Sequence, residues 1–264
     1  MDGNEARTRR LQRHCIEAFD LLYGADPSLG PQQTTVGDAA VYRWTAVPIP
    51  LFNRAIGLGD DGEPSDADLD RILDLYRQEG LEGMIQLSPL ADRASLGRRL
   101  EQRGLVRQPS WATLAMTPDR LQANQTDPAI SIEPVNDGNR DDFIRVLLES
   151  FELPPPVDQF ILASLNVPVI QNFLACYDGE PAGTAQIIPA TEVGGLYSGG
   201  VLPPFRRRGI QAALIAHRAR AAFDQGLDLL YSGTEEVDNQ SSRNLRKQGF
   251  FIAYEWECWG LPQG

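Results

Sequence analysis

Three consecutive arginines, Arg206 to Arg208, are followed at once by Gly209 and then by a stretch rich in Ala and Leu. They come after an apolar run that ends in two prolines, which cannot donate to a sheet ladder. This order predicts a strand that ends, a short turn and a helix that begins. Backbone N–H groups at a helix start attract anions, and arginines add charge-assisted hydrogen bonds. The junction is therefore a candidate anion-binding site.

A triple arginine can also be a solvated basic run at a helix start, with no ligand. Three positive charges beside the positive end of the helix dipole are unfavourable, however, unless an anion is present. The junction lacks the Walker-type and Rossmann glycine patterns, and no further basic or aromatic stripe surrounds it. A nucleic-acid-binding function is therefore the weaker interpretation.

The charge of the whole chain is opposite to that of the junction. The 264 residues include 36 Asp and Glu against 24 Lys and Arg, which gives a net charge of −12. Such a field disfavours general nucleic-acid binding. The three cysteines and two histidines are too few and too scattered for a disulfide framework or a zinc site. With no apolar run near the roughly 18 residues of a membrane span and no signal-peptide core, we expect a cytoplasmic protein without metal or membrane contact.

An internal repeat organises the chain. Residues 76–105 and 222–250 each contain a helix end, a short apolar strand, a polar turn and a basic helix that ends in Gly-Leu or Gly-Phe. The glycines that close the helices are 24 residues apart in the first copy and 23 in the second: Gly80, Gly104, Gly226 and Gly249. Two copies of one strand–helix–strand–helix unit are therefore expected.

The predicted elements fill in around the two copies. The first half is expected to begin with a helix over about 5–24 and a strand over 39–47. The second half reads as β-α-α-β-β-β-α-β-α, with a hairpin turn at 192–195. This order predicts the α/β class, with a twisted mixed β-sheet flanked by helices in each half.

The two halves are expected to be separate domains, residues 1–125 and 126–264, because the polar segment between them reads as a linker. Where the second copy has the cationic junction, the first has GDDGEPSDA at residues 59–67, with four acids. These two loops cannot bind the same anion. Only the second half is predicted to hold a phosphate group.

The stretch VLPPFRRRGIQAAL, residues 201–214, resembles the acyl-CoA-binding loop of the GNAT superfamily of N-acetyltransferases, Gln/Arg-x-x-Gly-x-Gly/Ala. The stretch NQSSRNLRKQGF, residues 239–250, is similar to the family's later Asn/Ser-containing helix closed by Gly-Phe. The resemblance covers about residues 130–257, and the first copy resembles a degenerate form of the same fold. It implies a tandem arrangement. One departure is Gln211, at a loop position where the family has Gly or Ala.

The resemblance implies acetyl-CoA as the acyl donor. By this resemblance, the backbones of strand residues 200–202 would hold the pantetheine arm and polarise the thioester carbonyl. The loop and helix start would hold the pyrophosphate between Arg206 and Arg208, with Arg207 at the 3′-phosphate or in solvent. Polar residues of the later Asn/Ser-containing helix would contact the pantetheine or adenylate end of the donor, although helix capping is an equal alternative for Ser241. The residues implied are Gly200, Val201, Leu202, Arg206, Arg207, Arg208, Gly209, Gln211, Ala212, Asn239, Ser241 and Asn244.

The implied reaction is direct transfer of the acetyl group to a primary amine in a ternary complex. An amine with a pKa of about 10 needs a base before it can attack. Glu235, just after a predicted strand, is the expected base, with Glu236 and Glu192 as alternatives.

The leaving thiolate needs a proton, since the pKa of a thiol is about 8.5. Family members commonly carry a tyrosine about four residues before the Gly-Phe, and that position is Leu245 here. Tyr197 and Tyr231, on the strands that flank the expected splay, are the candidate substitutes.

The leading hypothesis is thus an acyl-CoA-dependent N-acetyltransferase that acts on an amine of a small molecule or peptide. The alternative is a non-catalytic acyl-CoA-binding or regulatory module of the same fold, which the missing tyrosine favours. Either could be a homodimer or a monomer whose two copies form a pseudo-dimer. Acceptor specificity is expected to come from the segment 150–160 and from the N-terminal half.

Overall fold

The computed structural model describes residues 3–122, 127–151, 156–190 and 192–262. Its helices are α1 (Gly3–Tyr23), α2 (Asp66–Gln78), α3 (Arg93–Glu101), α4 (Arg140–Phe151), α5 (Val157–Ala163), α6 (Ile210–Asp224) and α7 (Gln240–Lys247). Its strands are β1 (Gln32–Val36), β2 (Ala39–Arg43), β3 (Arg54–Ile56), β4 (Met84–Leu87), β5 (Val106–Met116), β6 (Ile130–Pro134), β7 (Gln171–Tyr177), β8 (Glu180–Ala190), β9 (Val193–Val201), β10 (Leu229–Glu235) and β11 (Phe251–Gly260). No described helix is long and apolar enough to span a membrane.

The chain divides into two compact units. The N-terminal unit comprises Met1–Thr113, Gly233–Val237 and Ala253–Gly264, and the C-terminal unit comprises Leu114–Ser232 and Asp238–Ile252. The predicted boundary between residues 125 and 126 falls within 123–126, outside the described residues, and it stays a prediction.

In the N-terminal unit the strand order is β1-β2-β3-β4-β11-β5. Strands β3 and β4 are parallel, whereas β1/β2, β2/β3 and β4/β11 are antiparallel. The last strand of the chain therefore belongs to this sheet, with Trp259 opposite Ile85. The reason is packing: Trp259 is buried in a core that it shares with Leu96 and Leu100 of α3.

Strand β2 is shorter than the predicted strand over 39–47. The side chain of Asn53 is the cause, because it replaces the sheet partner of the segment after Arg43. Its Oδ1 accepts from the Trp44 backbone N–H at 2.6 Å, and its Nδ2 donates to Val47 O at 2.7 Å. With Asn53 fully buried, these bonds hold an irregular segment in place of further strand. Strands β1 and β5 were not predicted from the sequence.

In the C-terminal unit the strand order is β10-β9-β8-β7-β6, a mixed sheet in which only the β9/β10 pair is parallel among the described pairs. The register of that pair covers Leu229–Tyr231 against Val193–Gly195, although both strands continue further. Helix α6 packs on the sheet through Ile210 and Leu214. The mixed α/β sheet flanked by helices is therefore confirmed in each unit.

The predicted hairpin turn at 192–195 is wrong in its extent, because β9 already begins at Val193. Gly194 lies within the strand, where a β-carbon would approach Leu227 Cδ1 and Leu230 Cδ2 to 3.0 Å. Glycine is favoured there by close packing against these leucines rather than by a turn.

Candidate functional site

The cationic junction has the predicted strand–turn–helix form. Strand β9 ends at Val201, a 3₁₀ turn follows at Pro203–Phe205, and α6 begins at Ile210. Gly209 is the N-cap residue, with φ of 80° in the left-handed region that only glycine adopts at little cost. No side chain of the described residues caps α6. The N–H groups of its first turn are therefore available to an anionic ligand.

The backbone before Gly209 is also unusual. Arg207 has a φ of 66°, which is uncommon outside glycine and costs of the order of 1 kcal/mol. Next to it, Arg206 donates from Nε to the Val201 carbonyl at 3.2 Å, which ties the loop back to the end of β9. The loop is held in a strained form that folds it over the start of α6.

A cleft of about 690 Å³ opens in the C-terminal unit beside this junction, within the range of small-molecule sites. It is bounded by the end of α4, by β9, by the arginine loop, by the first turn of α6 and by α7. Eight of the predicted contact residues line it: Gly200, Val201, Arg206, Arg207, Gly209, Gln211, Ala212 and Asn244. The junction and the later Asn/Ser helix are thus brought to one cleft.

Two predicted contacts near the loop are not part of the described lining. Leu202 is buried in the core, its backbone N–H donates to Ala182 O at 2.9 Å, and its carbonyl accepts from the Phe205 N–H at 2.9 Å. The guanidinium of Arg208 lies over the ring of Tyr177, 4.7 Å from its centroid. Stacking on an aromatic ring occupies a guanidinium that the prediction placed beside the pyrophosphate. Both assignments stay predictions.

The other two predicted contacts that do not line the cleft, Asn239 and Ser241, belong to the start of α7. Asn239 is the N-cap residue of this helix, and its Oδ1 accepts from the Ser242 backbone N–H at 2.8 Å. Ser241 lies within the first turn and outside the described lining of the cleft. Asn239 therefore caps α7. The sequence had left capping open as an alternative role for Ser241.

Sequence reasoning missed part of the lining: Ser150, Phe151, Gln240, Lys247 and Gln248. The Oγ of Ser150 is buried and has no hydrogen-bond partner among the described residues. It stands against β9, since a β-carbon on Gly200 would lie 2.7 Å from Ser150 Cβ. The Gly199–Gly200 pair was the available signal, because glycine in a strand often marks close approach of a neighbour. Lys247 adds a further positive charge to the cleft.

Gln211, the departure from the family pattern, has a defined partner. Its Oε1 accepts from Nδ2 of Asn244, and the Asn244 Oδ1 accepts from Gln240 Nε2 at 2.8 Å. The glutamine therefore ties the first turn of α6 to α7. This chain of amides forms one wall of the cleft.

A buried arginine supports β9 from behind. Arg218 of α6 donates from Nη1 to the carbonyls of Gln186 at 3.1 Å and Tyr197 at 3.0 Å. Next to this residue pair the β8/β9 register shifts, between Thr184 and Gln186, and Ser198 has a φ of 48°. Burial lowers the pKa of Arg218 to about 9. The guanidinium thus holds the bulge that precedes the cleft-lining residues Gly199 and Gly200.

The candidate proton donors lie elsewhere in the described structure. The rings of Tyr197 and Tyr231 are 5.9 Å apart, and neither residue belongs to the described lining of the cleft. Leu245, at the position where the family commonly has a tyrosine, is 3% exposed and packs in the core. The roles of Tyr197 and Tyr231 stay predictions.

The candidate bases are placed as follows. Glu235 ends β10 and belongs to the N-terminal unit, where it lines a pocket of about 330 Å³ with Glu236, Glu82 and Trp111. Glu192 is exposed, immediately before β9. The catalytic role of Glu235 stays a prediction.

No group of His, Cys, Asp and Glu among the described residues could hold a metal ion.

The comparisons with known proteins agree with this geometry. Residues 139–250 match the family model of the acetyltransferase (GNAT) family. No functionally curated protein is similar to the chain in sequence.

Solved structures share the fold over almost the whole chain. A GCN5-related N-acetyltransferase from Kribbella flavida is 17% identical, with 96% of each chain covered and a TM-score of 0.67. One from Sphaerobacter thermophilus is also 17% identical, with 97% of this chain and 92% of that chain covered and a TM-score of 0.62.

A tandem GNAT protein from the clavulanic acid biosynthesis pathway is 12% identical, with 97% of each chain covered and a TM-score of 0.65. The tandem GNAT-like fold is thus confirmed, and GNAT acetyltransferases use acetyl-CoA as co-substrate. What the comparisons show of this chain is a segment, residues 139–250, that matches the GNAT family of acetyltransferases, within a fold shared with GNAT proteins over almost the whole chain.

Proposed function

We propose that this protein is an N-acetyltransferase that transfers the acetyl group of acetyl-CoA to a primary amine of a small molecule or peptide within a ternary complex. The observation that carries the proposal is the cleft of about 690 Å³ at a helix start that no described side chain caps. The matched family supports the acyl donor.

The cleft fits acetyl-CoA at two points. Arg206 and Arg207 bring positive charge to the side of the cleft where α6 begins, which suits a pyrophosphate, and Lys247 adds a positive charge to the same cleft. The buried Ser150 hydroxyl and the strand residue Gly200 lie beside one another, which suits the amide groups of a pantetheine arm. An unpartnered buried hydroxyl gains a hydrogen bond when such a ligand enters.

Acetyl-CoA supplies the activated thioester, and the chain must orient it and manage two protons. In the proposal, backbone N–H groups of β9 around Gly200 and Val201 bind the carbonyl oxygen, where negative charge develops during attack. The bulge that Arg218 holds sets the direction of these groups. Glu235 accepts the proton of the amine, and Tyr197 or Tyr231 returns one to the thiolate.

The alternative is a protein of the same fold that binds acyl-CoA without turnover. The burial of Leu245 favours it, because this position offers no proton donor. Measuring the release of free thiol from acetyl-CoA over a panel of primary amines separates the two proposals. Saturable acetyl-CoA binding without turnover on any amine would support the alternative.

The phosphate site has its own test. The double variant Arg206→Ala/Arg207→Ala is expected to weaken CoA binding about 100-fold and to remove the thermal stabilisation by CoA, since two charge-assisted contacts are lost. Arg220→Ala, an exposed arginine on α6, is the matched control. Arg208→Ala tests whether the stacked arginine also contributes. Unchanged CoA stabilisation in the double variant contradicts the assignment.

The base is tested separately. Glu235→Gln is expected to lower kcat about 100-fold while the Kd for CoA stays the same, because proton removal is lost and the donor site is untouched. Equal kcat values for the variant and the wild type would refute the role of Glu235. The cytoplasmic location, the domain boundary near residue 125 and the acceptor class are proposed with this function.

A further inference from the structure

A second cleft, of about 360 Å³, lies within the N-terminal unit. One wall is a face of α1 that includes Arg9, Gln12 and Ile16, residues spaced three or four apart. The other wall is the segment after β3 that includes Asp60 and Asp61. The cleft is separate from the acyl-CoA site, whose lining lies wholly in the C-terminal unit.

The charges around this cleft are mainly negative. Four acids line it (Glu17, Asp38, Asp60 and Asp61), against two arginines. One of these arginines, Arg9, is already engaged, since its guanidinium pairs with Asp61 at 2.8 Å and with Glu5 at 3.2 Å. The cleft therefore repels anions and favours a cation.

Of the four acids, Asp60 is the one whose charge would be stabilised most by a bound cation. Its carboxylate accepts from Ser88 Oγ at 2.5 Å. The pKa of this carboxyl is raised to about 6, chiefly by burial and then by the charges of Asp38 and Asp61, against the opposing effects of the Ser88 hydroxyl and Arg9. A raised pKa means that the charge of Asp60 is incompletely compensated by its surroundings.

Gln12 provides an independent sign of a ligand. The residue lines the cleft and is only 3% exposed. Neither Oε1 nor Nε2 of its amide has a hydrogen-bond partner among the described residues. A buried amide without partners costs about 1–3 kcal/mol, so such groups in native proteins usually meet a ligand or water.

We propose that the cleft binds a small organic ammonium ion that also carries a neutral hydrogen-bonding group, with the ammonium at Asp60 and the neutral group at Gln12. The volume accommodates a small molecule of this kind. A metal ion fits less well, since the described acids form no group of three or more that could hold one. The inference does not depend on the proposed acetyltransfer.

The experiment compares two cations of nearly equal size on the full chain. Ethanolammonium carries a hydroxyl group where propylammonium carries a methyl group, and glycolate is the anionic control. Isothermal titration is expected to show saturable binding of both cations, with ethanolammonium about fivefold tighter, and no binding of glycolate. A fivefold preference is within the worth of one hydrogen bond.

Single substitutions test the ammonium contact at Asp60 and the neutral contact at Gln12 separately. Asp60→Asn is expected to weaken both cations about tenfold or more, whereas Gln12→Leu removes only the preference for ethanolammonium. Asp74→Asn, an exposed aspartate on α2 outside the cleft lining, is the matched control and leaves both affinities unchanged. CoA binding is expected to stay intact in all three variants, which keeps this test apart from that of the acyl-CoA site.

Three results would overturn the proposal. The first is the lack of saturable binding of either cation up to about 100 mM, which corresponds to a binding free energy weaker than about 1.4 kcal/mol. The second is binding that Asp60→Asn leaves unchanged. The third is equal binding of glycolate, which would show that the charge of the cleft does not select its ligand.

Discussion

Two strand-to-helix junctions of this protein, β3 to α2 and β9 to α6, have the same form and opposite chemistry. After β3, the carboxylate of Asp38 accepts from the backbone N–H groups of Gly59 and Asp61, both at 3.1 Å. Helix α2 then starts with a capping box between Ser65 and Asp68. The amides at this junction are satisfied by the chain itself.

At the second junction, no described side chain caps α6, and the N-cap residue is Gly209. In the proposed function, the anion that Asp38 supplies internally in the N-terminal unit comes at this second junction from a ligand. The difference between these two junctions is that the first binds its backbone amides with the chain's own side chains, whereas the second leaves the amides of its helix start to a ligand or water.

The largest expected effect comes from giving the second junction the carboxylate of the first. Gly209→Asp places a negative side chain at the start of α6, and aspartate tolerates the left-handed backbone better than most residues. We expect the Kd for CoA to rise about a thousandfold, measured by isothermal titration at low salt. Gly209→Asn has the same shape without the charge and is expected to weaken binding about tenfold. Equal effects of Asp and Asn would show that charge does not distinguish the junctions.

The helices behind the two junctions differ in a similar way. Arg218 lies eight residues before Gly226, and its counterpart eight residues before Gly80 is Ile72, which is fully buried. Arg218→Met leaves the carbonyls of Gln186 and Tyr197 without their donor, so we expect the free energy of unfolding to fall by about 3 kcal/mol. Urea denaturation measures this loss. Arg220→Met, on the exposed side of α6, is expected to change stability by less than about 0.5 kcal/mol.

The third prediction concerns pH and the acidic cleft. Because burial raises the pKa of Asp60 from 3.8 to about 6, the folded protein binds this proton more tightly than the unfolded chain. Stability contributed by Asp60 is therefore present near pH 4 and lost as pH rises through about 6. Asp60→Asn is expected to stabilise the protein by about 2 kcal/mol at pH 7.5 and to have little effect at pH 4. A stabilisation that is the same at both pH values would contradict the raised pKa.

The smallest expected effect comes from removing the charge of Asp38, the carboxylate that binds the backbone amides of the first junction. Asp38→Asn keeps one acceptor for the Gly59 amide but removes the charge, so we expect the free energy of unfolding to fall by about 1 kcal/mol. Urea denaturation provides the measurement, and CoA binding is expected to be unchanged. Tighter CoA binding in the variant would mean that the first junction also accepts phosphate.

Much of this protein was determined by short stretches of its sequence. The repeat of glycine-closed helices, the cap at Asp92 and the αL position at Gly209 depend on backbone conformations that neighbouring residues decide. For the same reason the loop VLPPFRRRGIQAAL predicted both the cationic junction and six of the residues that line its cleft.

The tertiary structure alone decided the contacts between residues that are far apart in the chain. Ser150 meets Gly200, Gln211 meets Asn244, and Arg208 stacks on Tyr177 only because separate elements pack together. Strand β11 joins β4 because its tryptophan completes a distant core. Local patterns fix which residues can form a helix, strand or turn, but side-chain partners are chosen by burial and packing, which depend on the whole fold at once.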